Sequence, residues 1–385
     1  MRIGIIGQPC IDELVMSDGT ISKHSLGGVL YSYAAMERMM SQPAIGKLPD
    51  TNSFVGVTWM SIPDAPLIDP LLSQFHHLDH SAGLWNTQEL TNRVQLVYHP
   101  VGSLLKGAGT IPERTEHCPN VLPALTSMQL TPVLLSSLDA LFINMISGYD
   151  VSLKTLETAL NEAERRPYVH LDIHSLVLGP LSERGPGSGD RGPGNRLFAP
   201  LTDPGSRYPD PAPRIPRGVR KWKRWLNLAD SVQMNEFEAR WLGDPEIKSE
   251  EELLRFIEHH RESLNVHDII ITRGKRGASL YEVRTGEVHD VETSSGFRDS
   301  GTGEMMSPYY NGPRSPVPGH RATNPTGCGD VFGSAYIFSL LSGAAPNAAL
   351  EAAVRWASWN ATLSSIEEIN TRVAGARIVD DAPGT

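Results

Sequence analysis

The chain has 385 residues, 40% of them hydrophobic and 20% charged, with a formal charge of −10. That length suffices for one large α/β domain with an appendage or for two small domains, and the acidic balance leaves no excess of Lys and Arg to meet nucleic-acid phosphates. No apolar run has the length of a membrane span, and Cys10, Cys118 and Cys328 are too widely spaced for a disulfide framework or a zinc site, so a soluble cytoplasmic protein is expected.

Arg2 to Ile6 predicts a buried first strand that ends in the polar turn Gly7-Gln8-Pro9-Cys10-Ile11-Asp12. In an open parallel sheet ligands gather beyond the carboxyl ends of strands, which would bring Asp12 near a ligand; a solvated turn Asp explains it equally well. Glu13 to Leu26 is compatible with a hairpin about Ser17-Asp18-Gly19. Gly27-Gly28 then opens a helix over Val29 to Met40 that carries Tyr31, Ser32 and Tyr33. From Thr51 to Thr110 strand-like pieces (Phe54 to Thr58, Val94 to Tyr98) alternate with His-rich turns. His76, His77, Asp79 and His80 cluster in sequence, but without a second ligand pair they match known metal-site spacings poorly.

Leu138 to Ser147 predicts a buried strand, Val151 to Arg165 a helix, and Tyr168 to Ile173 the next strand. Strand, helix and strand at this spacing make a βαβ unit and imply a parallel sheet. Gly179 to Gly218 holds nine prolines and hardly a periodic apolar position, which predicts a long surface excursion inside the domain. The basic run Arg214 to Arg224 after it predicts a solvated helix start with Trp222 and Trp225 facing inward. Asp230 to Met234 predicts a strand followed by Asn235-Glu236-Phe237-Glu238, a string that by itself is usually a helix N-terminus capped by Asn. Ser249 to His260 reads as an amphipathic helix opened by a Ser249–Glu252 capping box. His267 to Thr272 is the next strand, leading into Thr272-Arg273-Gly274-Lys275-Arg276-Gly277, where a turn between two strands is one reading. The chain has no G-x-x-x-x-G-K-S/T string, and no G-x-G-x-x-G follows the first strand, so P-loop and dinucleotide-binding readings are disfavoured.

A Gly/Pro-rich stretch, Ser294 to Pro325, leads into Thr326-Gly327-Cys328-Gly329-Asp330 and the apolar run Val331 to Leu341. A loop feeding the N-terminus of a buried helix has this form. The first-turn amides of such a helix lack intrahelical partners, and the helix dipole adds partial positive charge there. Gly327 and Gly329 let a phosphate reach the backbone with no Cβ in the way. Asp330 adds a carboxylate beside that pocket, and an anion hole next to a base is what phosphoryl transfer to a hydroxyl requires. A glycine-rich cap with a favourably placed Asp is the plain alternative. Ala348 to Ile366 predicts a closing helix, and residues 371–385 have the composition of a tail.

The run Asn324 to Asp330 resembles the C-terminal signature of the ribokinase-like (PfkB) family of carbohydrate and nucleoside kinases, usually D-T-T-G-A-G-D. Asn324, Pro325 and Cys328 depart from it; the glycines and the final Asp remain. The resemblance implies a three-layer α/β/α sandwich around a mostly parallel sheet over residues 1–370, with a small β lid from pieces near 13–26 and 85–102 and the insertion near 179–218. It also implies an ATP-dependent kinase acting on a hydroxyl of a small sugar, polyol or nucleoside. In that role Asp330 is the general base, and Gly327, Cys328 and Gly329 stabilise the transferring group. Asp12, in a G-x-x-x-x-D pattern with Gly7, would bind acceptor hydroxyls, and the Gly27-Gly28 pair would lie against the acceptor.

The family's Asn four residues beyond that pair is Ser32 here, next to Tyr31, a ring on which a base can stack. Asn235 and Glu238 match N-x-x-E and would hold hydrated Mg²⁺. Thr272, Gly274 and Gly277 match T-x-G-x-x-G around nucleotide phosphates, and Asn360 would lie against the adenine. A monovalent cation near Asn324 stays open. Asp172-Ile173-His174-Ser175-Leu176 keeps only the Asp of the family's D-x-N-x-R. The lost Asn and Arg positions favour a non-catalytic relative that binds a small molecule or a protein, whereas intact Asp330, Asn235 and Glu238 oppose it. The expected partners are a small hydroxyl-bearing substrate and, through the lid, a second copy of the chain; neither nucleic acid nor membrane is expected.

Overall fold

The structure, a computed structural model, describes residues 1–15, 25–42, 52–98, 104–105, 109–110, 114–177, 219, 221–242, 247, 249–293 and 326–371. The expected excursion at 179–218, the stretch 294–325 with Asn324, the hairpin tip at 16–24 and the tail from 372 on lie outside these residues.

Strand β1 (Arg2–Ile6) is buried on both faces. It leaves the sheet at Gly7 and continues as β2 (Pro9–Val15), which pairs antiparallel with β3 (Ser25–Gly28); β3 runs directly into α1 (Val29–Met40). β4 (Ser53–Ser61) lies parallel to β1. The next segment holds a helix, α2 (Ala65–Leu72), where only turns and strand pieces were expected. Pro66 sits in its first turn, where a missing N–H costs nothing, and Ile68, Leu71 and Leu72 bury its inner face. β5 (Leu84–Thr87) lies parallel to β4 at the edge of the large sheet, whereas β6 (Asn92–Tyr98) joins β2 in the small one, so the stretch 85–98 is divided between two sheets. A two-stranded ribbon, β7 (Leu104–Leu105) and β8 (Gly109–Thr110), precedes β9 (Arg114–Asn120).

The second half supplies α3 (Pro132–Ser136), β10 (Ala140–Asn144), α4 (Leu153–Glu162), β11 (Tyr168–Asp172), α5 (Trp222–Asn227) and β12 (Ser231–Asn235). Then come α6 (Glu236–Arg240), α7 (Glu250–His260), β13 (Asp268–Thr272) and the antiparallel β14 (Ala278–Glu282) and β15 (Val288–Val291). Helices α8 (Cys328–Leu341), α9 (Pro346–Asn360) and α10 (Glu368–Thr371) close the described chain. Trp225 is buried under α5, and Trp222 packs against Phe256 and His260 of α7.

Among the described residues the large sheet has nine strands in the order β15-β14-β13-β12-β11-β10-β1-β4-β5, parallel from β13 to β5, and the small sheet has four, β3-β2-β6-β9. Period-two alternation sends Ala140 and Phe142 of β10 into one core with α1, α8 and α9. Leu141 and Ile143 go into the other with α3, α4 and α7. Apolar residues on both faces are what a doubly covered parallel sheet requires. Strand order reverses between β1 and β10, and a ligand crevice forms beyond the carboxyl ends of strands at such a point. The start of α8 lies over those ends, against Asn144 of β10, Asp172 of β11 and Gln233 of β12. Among the described residues no helix is long and apolar enough to cross a membrane.

Candidate active site

Helix α8 is capped by Gly327 in the left-handed conformation (φ 75), and a Cβ there would lie 2.2 Å from Cγ of Tyr31. Backbone and neighbour therefore both demand glycine. Cys328, Gly329 and Asp330 form the first turn, whose amides no residue of the helix can accept; Val331 N–H is the first to turn back, onto the Gly327 carbonyl at 2.9 Å. Gly329 is exposed, and a Cβ on it would meet nothing nearer than 3.7 Å, so packing within the protein does not require glycine at 329.

Asp330 is anchored through both its side chain and its carbonyl. Asn144, buried at the carboxyl end of β10, donates from Nδ2 to Asp330 Oδ1 at 2.5 Å and to Ser32 Oγ at 3.2 Å. The Asp330 carbonyl accepts from Ser334 Oγ at 2.9 Å and from Ser32 Oγ at 3.5 Å. Ser32 is thus fully buried between α1 and α8. Tyr31 is buried as well, its ring lying on Gly327.

Beside this turn lies an acidic cluster. Gln233 donates from Nε2 to Asp172 Oδ2 at 2.8 Å and to the Gly329 carbonyl at 3.0 Å. Its Oε1 faces His170 Nε2 at 3.4 Å, and His170 Nδ1 lies 2.7 Å from Ser231 Oγ. The acceptor Oε1 calls for the proton on Nε2, leaving Nδ1 to accept from Ser231. His170 is enclosed between the rings of Phe142 and Tyr336, and burial lowers it to about 4.

Asn235 and Glu238 form a capping box on α6: Asn235 N–H donates to Glu238 Oε2 at 2.7 Å and Glu238 N–H to Asn235 Oδ1 at 2.8 Å. Asn235 Nδ2 also donates to Glu238 Oε1 at 2.6 Å, and His174 Nδ1 lies 3.3 Å from the same oxygen. Burial raises the Asp172 carboxyl well above the usual carboxylate range, and the charges of Glu238 and Asp330 raise it further. Asp172, Glu238 and Asp330 thus act on one another electrostatically at this end of the sheet, while both Glu238 oxygens and Asn235 Oδ1 are engaged within the capping box and by His174.

Between the β13–β14 turn, the start of α8 and α9 opens a cavity of about 370 Å³. Thr272, Gly274 and Gly277 line it from the turn, Cys328 and Gly329 from α8, and the apolar Val354 and Ala357 from α9. Gly277 (φ 96) serves the hairpin, since a Cβ would lie 1.8 Å from the Val291 carbonyl; Gly274 (φ 55) has open space around it. Asn360 is set back from this wall and buried, donating from Nδ2 to the Thr326 carbonyl at 3.1 Å. Burial pushes the Cys328 thiol up to about 11, so it stays a neutral wall group at physiological pH. A second cavity, of about 420 Å³, lies at the amino ends of the strands beside Asp230 and His267, away from these residues.

In the small sheet the buried Asp12 of β2 leans over Gly27, where a Cβ would lie 2.0 Å from its Oδ2. Gly28 (φ 61) caps α1, and a Cβ there would lie 2.5 Å from the Gln8 carbonyl. Of the histidine-rich cluster, His77 and Asp79 have separate partners: His77 Nδ1 faces Glu37 Oε1 at 3.0 Å and Asp79 pairs with Arg2 at 2.8 Å. Sequence reading missed Asn144, Gln233 and His170 and gave Asp172 no role. One signal was available: the buried strands β10, β11, β12 and β13 all end in a polar residue, Asn144, Asp172, Asn235 and Thr272.

The sequence matches no protein-family model and no curated protein. Similarity appears in three dimensions. A pyrophosphate-dependent kinase of the ribokinase family, solved with sulfate, has a TM-score of 0.60 at 14% identity, covering 93% of this chain and 94% of its own. The ribokinase of Thermotoga maritima has a TM-score of 0.58 at 14% identity, covering 96% and 95%. Ribokinase of Arabidopsis thaliana, solved with ribose and ATP, has a TM-score of 0.58 at 12% identity, covering 96% and 95%. Nearly complete coverage on both sides, with a large mostly parallel sheet and a small second one, makes this chain a ribokinase-like α/β fold.

Proposed function

We propose that the protein transfers the terminal phosphoryl group of ATP to a hydroxyl of a small sugar, polyol or similar metabolite. The observation that carries this reading is Asp330: its carboxylate is held by Asn144 in the first turn of α8, and that turn borders the 370 Å³ cavity. In the reaction the acceptor oxygen attacks the terminal phosphorus, the bond from phosphorus to the ADP oxygen breaks, and the hydroxyl proton passes to Asp330. The first-turn amides of Cys328, Gly329 and Asp330 take up charge on the transferring group. Mg²⁺, when bound, neutralises donor phosphate charge; Asn235 and Glu238, with Asp172 beside them, are the residues to hold its water shell. Asp12 accepts hydrogen bonds from acceptor hydroxyls beside Gly27 and Gly28 of β3.

Donors of both kinds occur on this fold, since one solved relative is pyrophosphate-dependent and another holds ATP. The apolar wall of Val354 and Ala357 suits the face of a base, which pyrophosphate lacks, and this favours ATP, although Lys275 of the same cavity can meet either donor's phosphates. A nucleoside acceptor is less well supported, because Tyr31, the ring expected to stack a base, is engaged on Gly327. Product release from ATP and Mg²⁺ over a panel of sugars, inositols and nucleosides, repeated with pyrophosphate, tests the reading. Turnover of a sugar or inositol with ATP supports it. Turnover of nucleosides alone, or with pyrophosphate alone, replaces the acceptor or donor, and binding without turnover makes the protein a non-catalytic relative.

A further inference from the structure

We infer that Asn144 is a positioning residue for Asp330, fixing the base carboxylate against the sheet. The inference rests on the kinase reading above. Ala140, Leu141, Phe142 and Ile143 are all apolar and buried, and the strand then ends in an amide that is 1% exposed. Such a group is costly to bury unless its hydrogen bonds are made. Here both Nδ2 hydrogens are directed, one to Asp330 Oδ1 at 2.5 Å and one to Ser32 Oγ at 3.2 Å. The amide cannot serve the other way round, since flipping it would set its carbonyl oxygen against the carboxylate.

The support behind Asn144 is rigid. β10 is held in parallel register by β1 on one side and β11 on the other, with Asn144 paired to Asp172. Side chains on strands of this kind hold a geometry better than side chains on loops. Asp330 belongs to a helix whose start follows a glycine loop, so its backbone alone does not tie the carboxylate to the strand ends. Asn144 supplies that tie, across 186 residues of sequence. Ser32 braces the same unit by accepting from Asn144 and donating to the Asp330 carbonyl.

The test is a double-mutant cycle with Asn144→Leu, similar in shape but without a donor, Asp330→Asn and the pair together. Misaiming a catalytic group by about 1 Å costs up to about 10²-fold in rate. In the Asp330 protein Asn144→Leu should therefore lower kcat by about 10–10²-fold, with acceptor KM and calorimetric ATP affinity little changed. In the Asp330→Asn background, with no base left to aim, it should lower kcat by less than about twofold. Losses that multiply, or an ATP affinity that falls in step with kcat, would make Asn144 structural glue and overturn the assignment. Should the Leu variant not fold, Asn144→Ala takes its place in the cycle with the same expectations. A wild-type protein that turns over no acceptor overturns the kinase reading together with this one; an active wild type with multiplying losses overturns the role of Asn144 alone.

Discussion

A carboxylate that is to take a proton must be ionised and aimed, and in the proposed reading the aim of Asp330 comes from its hydrogen bond with Asn144, far from it in sequence. Asp330→Asn keeps the shape, the helix N-terminus and an oxygen for Asn144, but removes the proposed base. Turnover should fall by about 10²–10⁴-fold, while ATP affinity by calorimetry holds and stability moves by less than about 1 kcal/mol. A variant that retains most of its turnover would reduce Asp330 to a cap. His170 supports a different prediction. Its folded value is about 4 against an ordinary 6.5, so between those limits the unfolded chain binds a proton that the folded chain refuses. Stability is therefore whole above pH 6.5 and is lost as pH falls from there toward 4. Between pH 7.5 and 5 this one group should cost about 2 kcal/mol in urea unfolding. His170→Phe should be less stable overall yet show a flatter pH dependence; an equal slope would assign the acid sensitivity elsewhere. The cap at Gly327 and the first-turn place of Asp330 were legible in the sequence because a helix start is written locally. Asn144 and Gln233 were not, since what makes them matter is a partner on another strand or helix.

At the scale of elements, the β13–β14 turn separates two glycines that one motif treats alike. A Cβ on Gly277 would collide with the Val291 carbonyl at 1.8 Å, whereas Gly274 has no heavy atom within 4 Å of its Cβ position. Gly274→Ala meets only the left-handed backbone penalty, about 1–2 kcal/mol. Gly277→Ala adds displacement of β15 and should cost more, with ATP affinity falling as the cavity wall shifts. Chemical unfolding and ATP calorimetry on both variants check this, and equal costs would mean that β15 yields without resistance. Most elements were legible from periodicity: the expected helix Val29 to Met40 is α1, and the strand–helix–strand run from Leu138 is β10, α4 and β11. Helix α2 was not, because its short prolyl sequence carries too few apolar repeats to be told from turns.

For the molecule as a whole, the βαβ pattern announced a parallel sheet, but strand order depends on pairings between distant segments that no local pattern encodes. The reversal between β1 and β10 is such a pairing, and the start of α8 with Asp330 lies beside it, against the end of β10. The β13–β14 turn, the start of α8 and α9 share the walls of the 370 Å³ cavity, whereas Asp12, Gly27 and Gly28 belong to the small sheet. A ligand that binds only the folded state stabilises it, by about 2.7 kcal/mol at a hundred times its dissociation constant. ADP with Mg²⁺ should accordingly raise the thermal midpoint, and pyrophosphate at the same concentration should raise it much less. An equal shift from both would show that the apolar wall adds nothing to donor affinity.

Tyr31 and Gly327 occupy a single volume, a ring from α1 and the empty place of a side chain before α8. That makes the order of substitutions over evolutionary time asymmetric. A lineage gaining alanine at 327 while the ring is still at 31 acquires a collision on top of a left-handed backbone. One that first exchanges the ring for a smaller residue passes through a protein with a cavity but an intact loop. Any descendant that gives up glycine at 327 has its accessible path through position 31.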